Sequence, residues 1–181
     1  MGLFSEKCWK SLARMVLSLA LFVPNHAAAD TEAPLKLCWV GHSTAMIQLG
    51  DRWVLTDPMF SSRFLWVMRR KAPLGFELKD LPSPGLVLIS HEHRDHMDFP
   101  SLRALDSEAE VAMPPGTKMR NLSFSKEHIL EAWESSEAAG IHLTATPVQH
   151  WGGRFAIDGL WRHTFSGYVI SYQGWTVLFV G

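Results

Sequence analysis

The sequence predicts an α/β fold in which strands and helices form a layered sandwich rather than a barrel. Short runs of alternating apolar and polar residues, separated by turn residues, recur along much of the chain and are typical of half-buried strands. One continuous apolar run at residues 86–89 indicates a strand buried on both faces. A single short helix is predicted after this strand, with further strands on either side, and that order favours stacked layers.

Three strands are predicted at the start of the domain, at residues 35–40, 45–49 and 53–55. Gly50 and Asp51 join the last two in a tight hairpin, because both residue types favour the backbone of such turns. The next stretch, 57–85, contains four prolines and no sustained periodicity. It is long for a loop in a compact domain, and its apolar residues make it unlike a solvated linker.

The buried strand at 86–89 precedes a predicted helix that begins after Asp98 and reaches about Leu105. Asp98 is a favourable cap, and Pro100 is tolerated in the first helical turn. Further strands are predicted at residues 111–113, 129–133, 141–148, 167–172 and 175–179.

Composition excludes two classes of protein. The formal net charge is −1, and no run of five like charges occurs, so the chain lacks the cationic surface that nucleic-acid binding requires. A hydrophobic content of 47% excludes a disordered chain. The nine histidines stand out against only two cysteines and indicate metal or acid–base chemistry.

Residues 1–29 predict a signal peptide for export to the periplasm or the exterior. Lys7, Lys10 and Arg14 precede an apolar run at 15–23, and three alanines end at Ala29, as a signal peptidase site requires. The alternative is an uncleaved membrane anchor, but nine helical residues rise only about 14 Å, roughly half a bilayer core. The predicted domain therefore occupies residues 30–181.

The segment from His91 to His96 carries the strongest chemical signal. It places three histidines and Asp95 within six residues, directly after the buried strand, and these donor types suit zinc. His91 and His93 are two residues apart and face the same way in extended backbone, so one ion can take both. The chain is expected to bend after His93, so that Asp95 and His96 can face a second ion. The alternative is a polar surface loop that is rich in histidine by chance.

This motif resembles the signature of the metallo-β-lactamase fold superfamily. Three further segments, 39–44, 55–58 and 146–151 with Arg154, resemble the branch that holds N-acyl-phosphatidylethanolamine phospholipase D and the ascorbate-6-phosphate lactonases. The resemblance runs from about Leu37 to Gly181 and implies an αββα sandwich. The phospholipase D side is the more similar, through the Gln149-His150-Trp151 segment.

The resemblance also implies a set of site residues. It makes His91, His93 and His150 the ligands of one zinc, and it makes Asp95 and His96 both ligands of a second zinc and catalytic residues. Asp57 is then expected to orient a ligand imidazole, although an Asx turn before Pro58 remains an equal alternative. His42 is expected to line the site, or else to cap a turn.

In the family, a bridging Asp and a last His complete the metal site, and both would be expected beyond Gly181. We therefore expect the chain to be the N-terminal part of a longer hydrolase domain, with one zinc or fewer held tightly although the complete site holds two. A compact natural variant with a complete fold is the alternative.

The implied chemistry is hydrolysis by a metal-bound hydroxide. The substrate we expect is a phosphodiester in a lipid headgroup, because apolar and cationic side chains at residues 64–71 suit peripheral contact with a membrane. Two alternatives stay open: a lactonase-type hydrolase acting on a soluble sugar phosphate, and a non-catalytic fragment that binds zinc.

Overall fold

The computed structural model describes residues 34–64, 68–74, 76–105, 108–119, 121–150 and 165–181. The predicted signal peptide lies outside the described residues, as do Trp151 and Arg154. The segment expected to contact a membrane, 64–71, lies partly outside them. None of the helices in the described ranges has the length and apolarity needed to cross a membrane.

Twelve strands, one short 3-10 helix and one α-helix are found among the described residues. In chain order they are β1 Leu35–Gly41, β2 Thr44–Leu49, β3 Arg52–Thr56, β4 Arg63–Phe64, β5 Met68–Arg69, the 3-10 helix Leu78–Asp80, β6 Leu86–Leu88, α1 Phe99–Arg103, β7 Glu110–Met113, β8 Lys126–Ile129, β9 Ser135–Ala138, β10 Ile141–Thr146, β11 Gly167–Tyr172 and β12 Trp175–Phe179.

The first sheet has six strands in the order β1-β2-β3-β6-β7-β8. Strands β1, β2 and β3 form the antiparallel meander that their alternating residues predict. Strands β3, β6, β7 and β8 are parallel neighbours, so their carboxyl ends share one edge of the sheet. In open sheets of this kind, that edge is where ligands bind.

The second sheet is fully antiparallel, in the order β12-β11-β10-β9, and it packs on one face of the first. Leu86 and Leu88 of β6 point into this interface beside Tyr168 of β11. The alternate residues Val87 and Ile89 point to the opposite face and cluster with Leu102 of α1, among others. Strand β6 is therefore covered on both sides, which explains its continuous apolar sequence.

Several predicted elements match the structure, and others need correction. Strands β11 and β12 have the predicted bounds, and Asp98 caps α1 by accepting a hydrogen bond from the backbone N–H of Ser101. The strand predicted at 129–133 is wrong, because β8 occupies Lys126–Ile129 instead. Strand β10 ends at Thr146, before Pro147, which lacks the N–H that a ladder needs.

The predicted sandwich is confirmed in its two packed sheets and only in part in its helical layers. Among the described residues α1 is the one α-helix, and it covers one outer face. The long stretch 57–85, whose sequence shows no sustained periodicity, contains the two-stranded β4–β5 ribbon and the 3-10 helix.

Candidate metal centre

The predicted site residues are brought together at the shared edge of the first sheet. Asp57 directly follows β3, and the segment from His91 to His96 begins three residues after β6 ends. Because β3 and β6 are hydrogen-bonded neighbours, these two chain segments lie side by side. His42 reaches the same edge from the turn between β1 and β2, and His150 reaches it from the second sheet, after β10.

The first group of side chains consists of His91, His93 and His150. Each offers one nitrogen, and these atoms lie within 4.8 Å of one another. His91 Nε2 is 2.9 Å from His93 Nδ1, and the His150 ring centroid lies 4.5 Å from that of His91. His91 is buried, His93 is half-buried and His150 is exposed, so the group opens from the interior toward solvent.

The second group consists of His42, Asp95 and His96, whose nearest donor atoms also lie within 4.8 Å of one another. His42 Nε2 is 2.8 Å from Asp95 Oδ2. The ring centroids of His42 and His96 are 4.9 Å apart. The two groups adjoin, because the His96 ring centroid is 4.0 Å from that of His91.

Asp57 is fully buried beneath both groups. Its carboxylate accepts hydrogen bonds from the backbone N–H of Ser90 at 2.7 Å and from the Ser90 hydroxyl at 2.6 Å. The Asp57 Oδ2 atom is also 2.6 Å from His96 Nδ1. The two hydrogen bonds from Ser90 favour the ionised carboxylate. An ionised carboxylate only accepts, so His96 Nδ1 carries the proton and the lone pair of Nε2 remains available. Such a carboxylate–imidazole contact is characteristic of metal-binding histidines.

Burial sets the protonation of His91 and His93. Together with a smaller effect of the surrounding imidazoles, burial lowers the pKa of His91 to about 2. Burial also lowers the pKa of His93, with His150 adding to the effect and Asp95 opposing it. Both rings are therefore neutral near pH 7, which is the form that binds metal. Burial raises the pKa of Asp57, while hydrogen bonds from His96 and Ser90 act against that rise.

Two side chains at this edge were missed by sequence reasoning. The Ser90 hydroxyl lies between the Asp57 carboxylate and His91 Nδ1, which is 2.9 Å away. Glu92 is buried, and its Oε1 accepts a 2.6 Å hydrogen bond from the backbone N–H of Lys118. The available signal was the position of Ser90 directly before the histidine segment and of Glu92 inside it, but serine and glutamate are too common for this position to single them out.

Both groups pass a test of donor chemistry for a transition-metal ion. Two nitrogens bound to one tetrahedral zinc lie about 3.3 Å apart, given Zn–N distances of roughly 2.0–2.1 Å. The 2.9 Å between His91 Nε2 and His93 Nδ1 is close to this value, and the His150 nitrogen lies within 4.8 Å of both. Ser90 contacts His91 Nδ1 and Asp57 contacts His96 Nδ1, so the Nε2 atom of each ring faces its group.

Comparison with known protein families identifies the family of this chain. Residues 52–181 match the model described as the beta-lactamase superfamily domain. The chain belongs to the β-lactamase superfamily. This match confirms the superfamily that the sequence predicts, and with it the prediction of a metal-dependent hydrolase.

Two curated proteins are similar to the chain in sequence. The chain is 28% identical over 164 residues to the mitochondrial N-acyl-phosphatidylethanolamine-hydrolyzing phospholipase D of Saccharomyces cerevisiae, covering 82% of this chain and 34% of the yeast protein. It is 27% identical over 154 residues to a metal-dependent hydrolase of Pyrobaculum aerophilum, covering 80% of this chain and 63% of that protein. The chain thus spans between a third and two thirds of the length of these relatives.

A solved structure supports the superfamily fold. The diiron β-hydroxylase CmlA of Streptomyces venezuelae superposes with a TM-score of 0.61 at 23% identity, over 83% of this chain and 30% of that chain. At this identity the likeness shows the fold alone. The neighbour is described as a diiron protein, so membership of this fold does not decide which metal binds.

Proposed function

We propose that this chain carries the metal centre of a zinc-dependent hydrolase that cleaves a phosphodiester in a lipid headgroup. The observation that carries the proposal is the convergence of His91, His93 and His150 beside a second group that contains Asp95 and His96. The similarity to the yeast phospholipase D supports the substrate class. We further propose that residues 1–29 direct export.

Two of the proposed ligands have a neighbour in the fold that orients the ring. Asp57 keeps the proton on Nδ1 of His96, and the Ser90 hydroxyl contacts Nδ1 of His91. Burial excludes water from His91 and keeps its ring neutral. When bound, the metal ions supply Lewis acidity and lower the pKa of a coordinated water.

Zinc is the metal that we favour. The first group offers three imidazole nitrogens, and imidazole suits zinc well, although it also suits iron, copper and nickel. Element analysis of the chain purified from cells and dialysed without chelator tests this choice. Iron in place of zinc would refute the metal and leave the ligand set intact.

The hydrolase proposal is tested with the full 181-residue chain. We expect release of phosphatidic acid from N-acyl-phosphatidylethanolamine in mixed micelles, its loss on chelation and its return on adding Zn²⁺. Activity on a sugar-phosphate lactone alone would refute the lipid substrate and favour the lactonase-type hydrolase. Retention of zinc without turnover of either substrate would refute catalysis by this chain and favour a non-catalytic zinc-binding fragment.

The ligand assignment is tested separately by His93→Ala. We expect this variant to lose retained zinc, because His93 lies beside His91 in the first group. His142→Ala is the matched control, since His142 is an exposed histidine on β10 whose ring contacts the Glu137 carboxylate and belongs to neither donor group. Unchanged zinc content in His93→Ala would refute the assignment.

A further inference from the structure

His42 lies closer to Asp95 and His96 than a residue that merely lines the site would. Its Nε2 is 2.8 Å from Asp95 Oδ2, and its ring is 4.9 Å from that of His96. All three side chains offer a donor atom within 4.8 Å of the others. Without His42, this group offers one carboxylate and one imidazole. With it, the group has two nitrogens and one oxygen.

The backbone at His42 adopts a conformation that histidine rarely takes. Its φ is +56°, in the left-handed region, which is sterically unfavourable for a non-glycine residue. The preceding Gly41 has a φ of +133°, and a Cβ there would lie 2.6 Å from Nη1 of Arg70. Such strain concentrates at functional sites.

Two hydrogen bonds fix this turn against the rest of the site. The indole N–H of Trp39 donates to the carbonyl of His42 at 2.8 Å. The hydroxyl of Thr44 donates to the carbonyl of Asp57 at 2.7 Å. The β1–β2 turn is therefore attached to the same residue that orients His96, and the His42 imidazole is held beside Asp95 by the fold.

An ion pair with Asp95 does not account for this arrangement. The His42 side chain is 46% exposed and the Asp95 side chain 27%, and ion pairs exposed to this extent contribute little to stability. That gain is no larger than the cost of the left-handed backbone. A metal ion shared with Asp95 and His96 offers a stronger reason for the placement.

We infer that His42 is the third protein ligand of a divalent transition-metal ion held with Asp95 and His96. The inference rests on the proposed function, because it concerns the same metal centre. Three protein donors that leave one position open are the arrangement of catalytic zinc sites. Two histidines and one carboxylate also suit iron(II), so the class of ion is a divalent first-row transition metal.

The test compares His42→Asn with the unaltered full chain. Asparagine tolerates the left-handed backbone but removes the imidazole, so the turn is preserved while the ligand is lost. After metal is removed, each chain is titrated with Zn²⁺ by calorimetry. We expect the unaltered chain to bind two equivalents, and we expect the Kd of the weaker one to rise at least tenfold in the variant. The tighter equivalent should be unchanged.

His142→Asn is the matched control, because its ring also lies 2.8 Å from a carboxylate, that of Glu137, without a third donor nearby in the described groups. It should bind both equivalents normally. A second readout is the imidazole ¹⁵N spectrum, in which the His42 Nε2 resonance should shift on addition of the second equivalent.

The outcomes separate the two hypotheses. Two equivalents with unchanged Kd values in His42→Asn, or equal weakening of both, would overturn the role of His42 and leave the proposed function standing. A single equivalent in the unaltered chain would also overturn it. No zinc binding by the unaltered chain would refute the metal centre itself.

Discussion

Replacing Asp57 by Asn should separate the orientation of the His96 imidazole from the rest of the metal centre. The Asp57 carboxylate accepts from Ser90 N and Ser90 Oγ, and it also contacts His96 Nδ1. In Asp57→Asn the remaining carbonyl oxygen still accepts from the Ser90 N–H, so the amide NH₂ takes the position of Oδ2. This NH₂ group only donates. His96 Nδ1 must then accept, its proton moves to Nε2, and the lone pair that would bind metal is lost.

The contacts of Asp57 set the expected size of two effects, the loss of stability and the loss of zinc affinity. Of the two contacts at Oδ2, the Ser90 hydroxyl can reverse its role, whereas the contact with His96 loses a charged acceptor. A hydrogen bond to a charged group contributes about 1.5–3 kcal/mol, so the free energy of unfolding of the metal-free chain should fall by about that amount. Loss of a residue that orients a ligand typically weakens metal binding by about 10–100-fold, and we expect this range for the equivalent that His96 holds.

Two assays check the expectation: urea unfolding of the metal-free chain, and competition of the chain with a fluorescent chelator for Zn²⁺. Asp98→Asn is a control, because Asp98 caps α1 by accepting from the Ser101 N–H. Asparagine is about as good an N-cap residue as aspartate, so this variant should keep most of its stability and its full zinc affinity. Wild-type zinc affinity in Asp57→Asn would refute the tautomer argument, even if stability fell.

Three further predictions concern stability. His128→Ala should lower the free energy of unfolding in urea by about 1–3 kcal/mol, because buried His128 in the first sheet lies 2.8 Å from Ser136 Oγ in the second and 2.5 Å from Glu110 Oε2; an unchanged midpoint would contradict this. Partial burial raises the pKa of Glu110, but hydrogen bonds, chiefly with His128, outweigh that effect and leave the pKa below 4.5. The stability that Glu110 contributes is then present above pH 4.5 and is lost as the pH falls below that value, and His128→Ala should flatten this acid limb of a thermal-melt series. Gly167→Ala should destabilise the chain by about 1–3 kcal/mol, since its Cβ would lie 2.6 Å from Oγ1 of Thr146; an unshifted melting temperature would show that the neighbouring strands yield freely.

The strands that the sequence predicts well are those whose burial is one-sided or complete. Strand β10 has a strictly alternating burial pattern up to Thr146, and β6 is buried throughout. Strand β8 escaped prediction because it forms the edge of its sheet, where three of its four residues are exposed. Its pairing with β7, rather than any periodicity of its own, makes it a strand.

The residues of the candidate site also differ in how well the sequence predicts them. His91, His93, Asp95 and His96 are close in sequence, so their spacing after a buried strand reveals them as a cluster. The contact of His42 with Asp95 joins residues 53 positions apart in the sequence and depends on a turn with a positive φ. No local pattern encodes that contact, because it arises only when β2 pairs with β3 and brings the β1–β2 turn to the end of β3.

The two donor groups differ in how they depend on the packing of the sheets. His91 follows β6 of the first sheet, and its backbone pairs with Phe165 on the approach to β11 of the second, while His150 follows β10 of that second sheet. An ion in the first group would therefore connect both sheets. His42, Asp95 and His96 all come from connections of the first sheet, so an ion there would leave the interface between the sheets untouched. Since a ligand that binds only the folded state stabilises it in proportion to RT ln(1 + [L]/Kd), occupancy of the first group resists separation of the sheets, and occupancy of the second resists only local opening of the loops at the sheet edge.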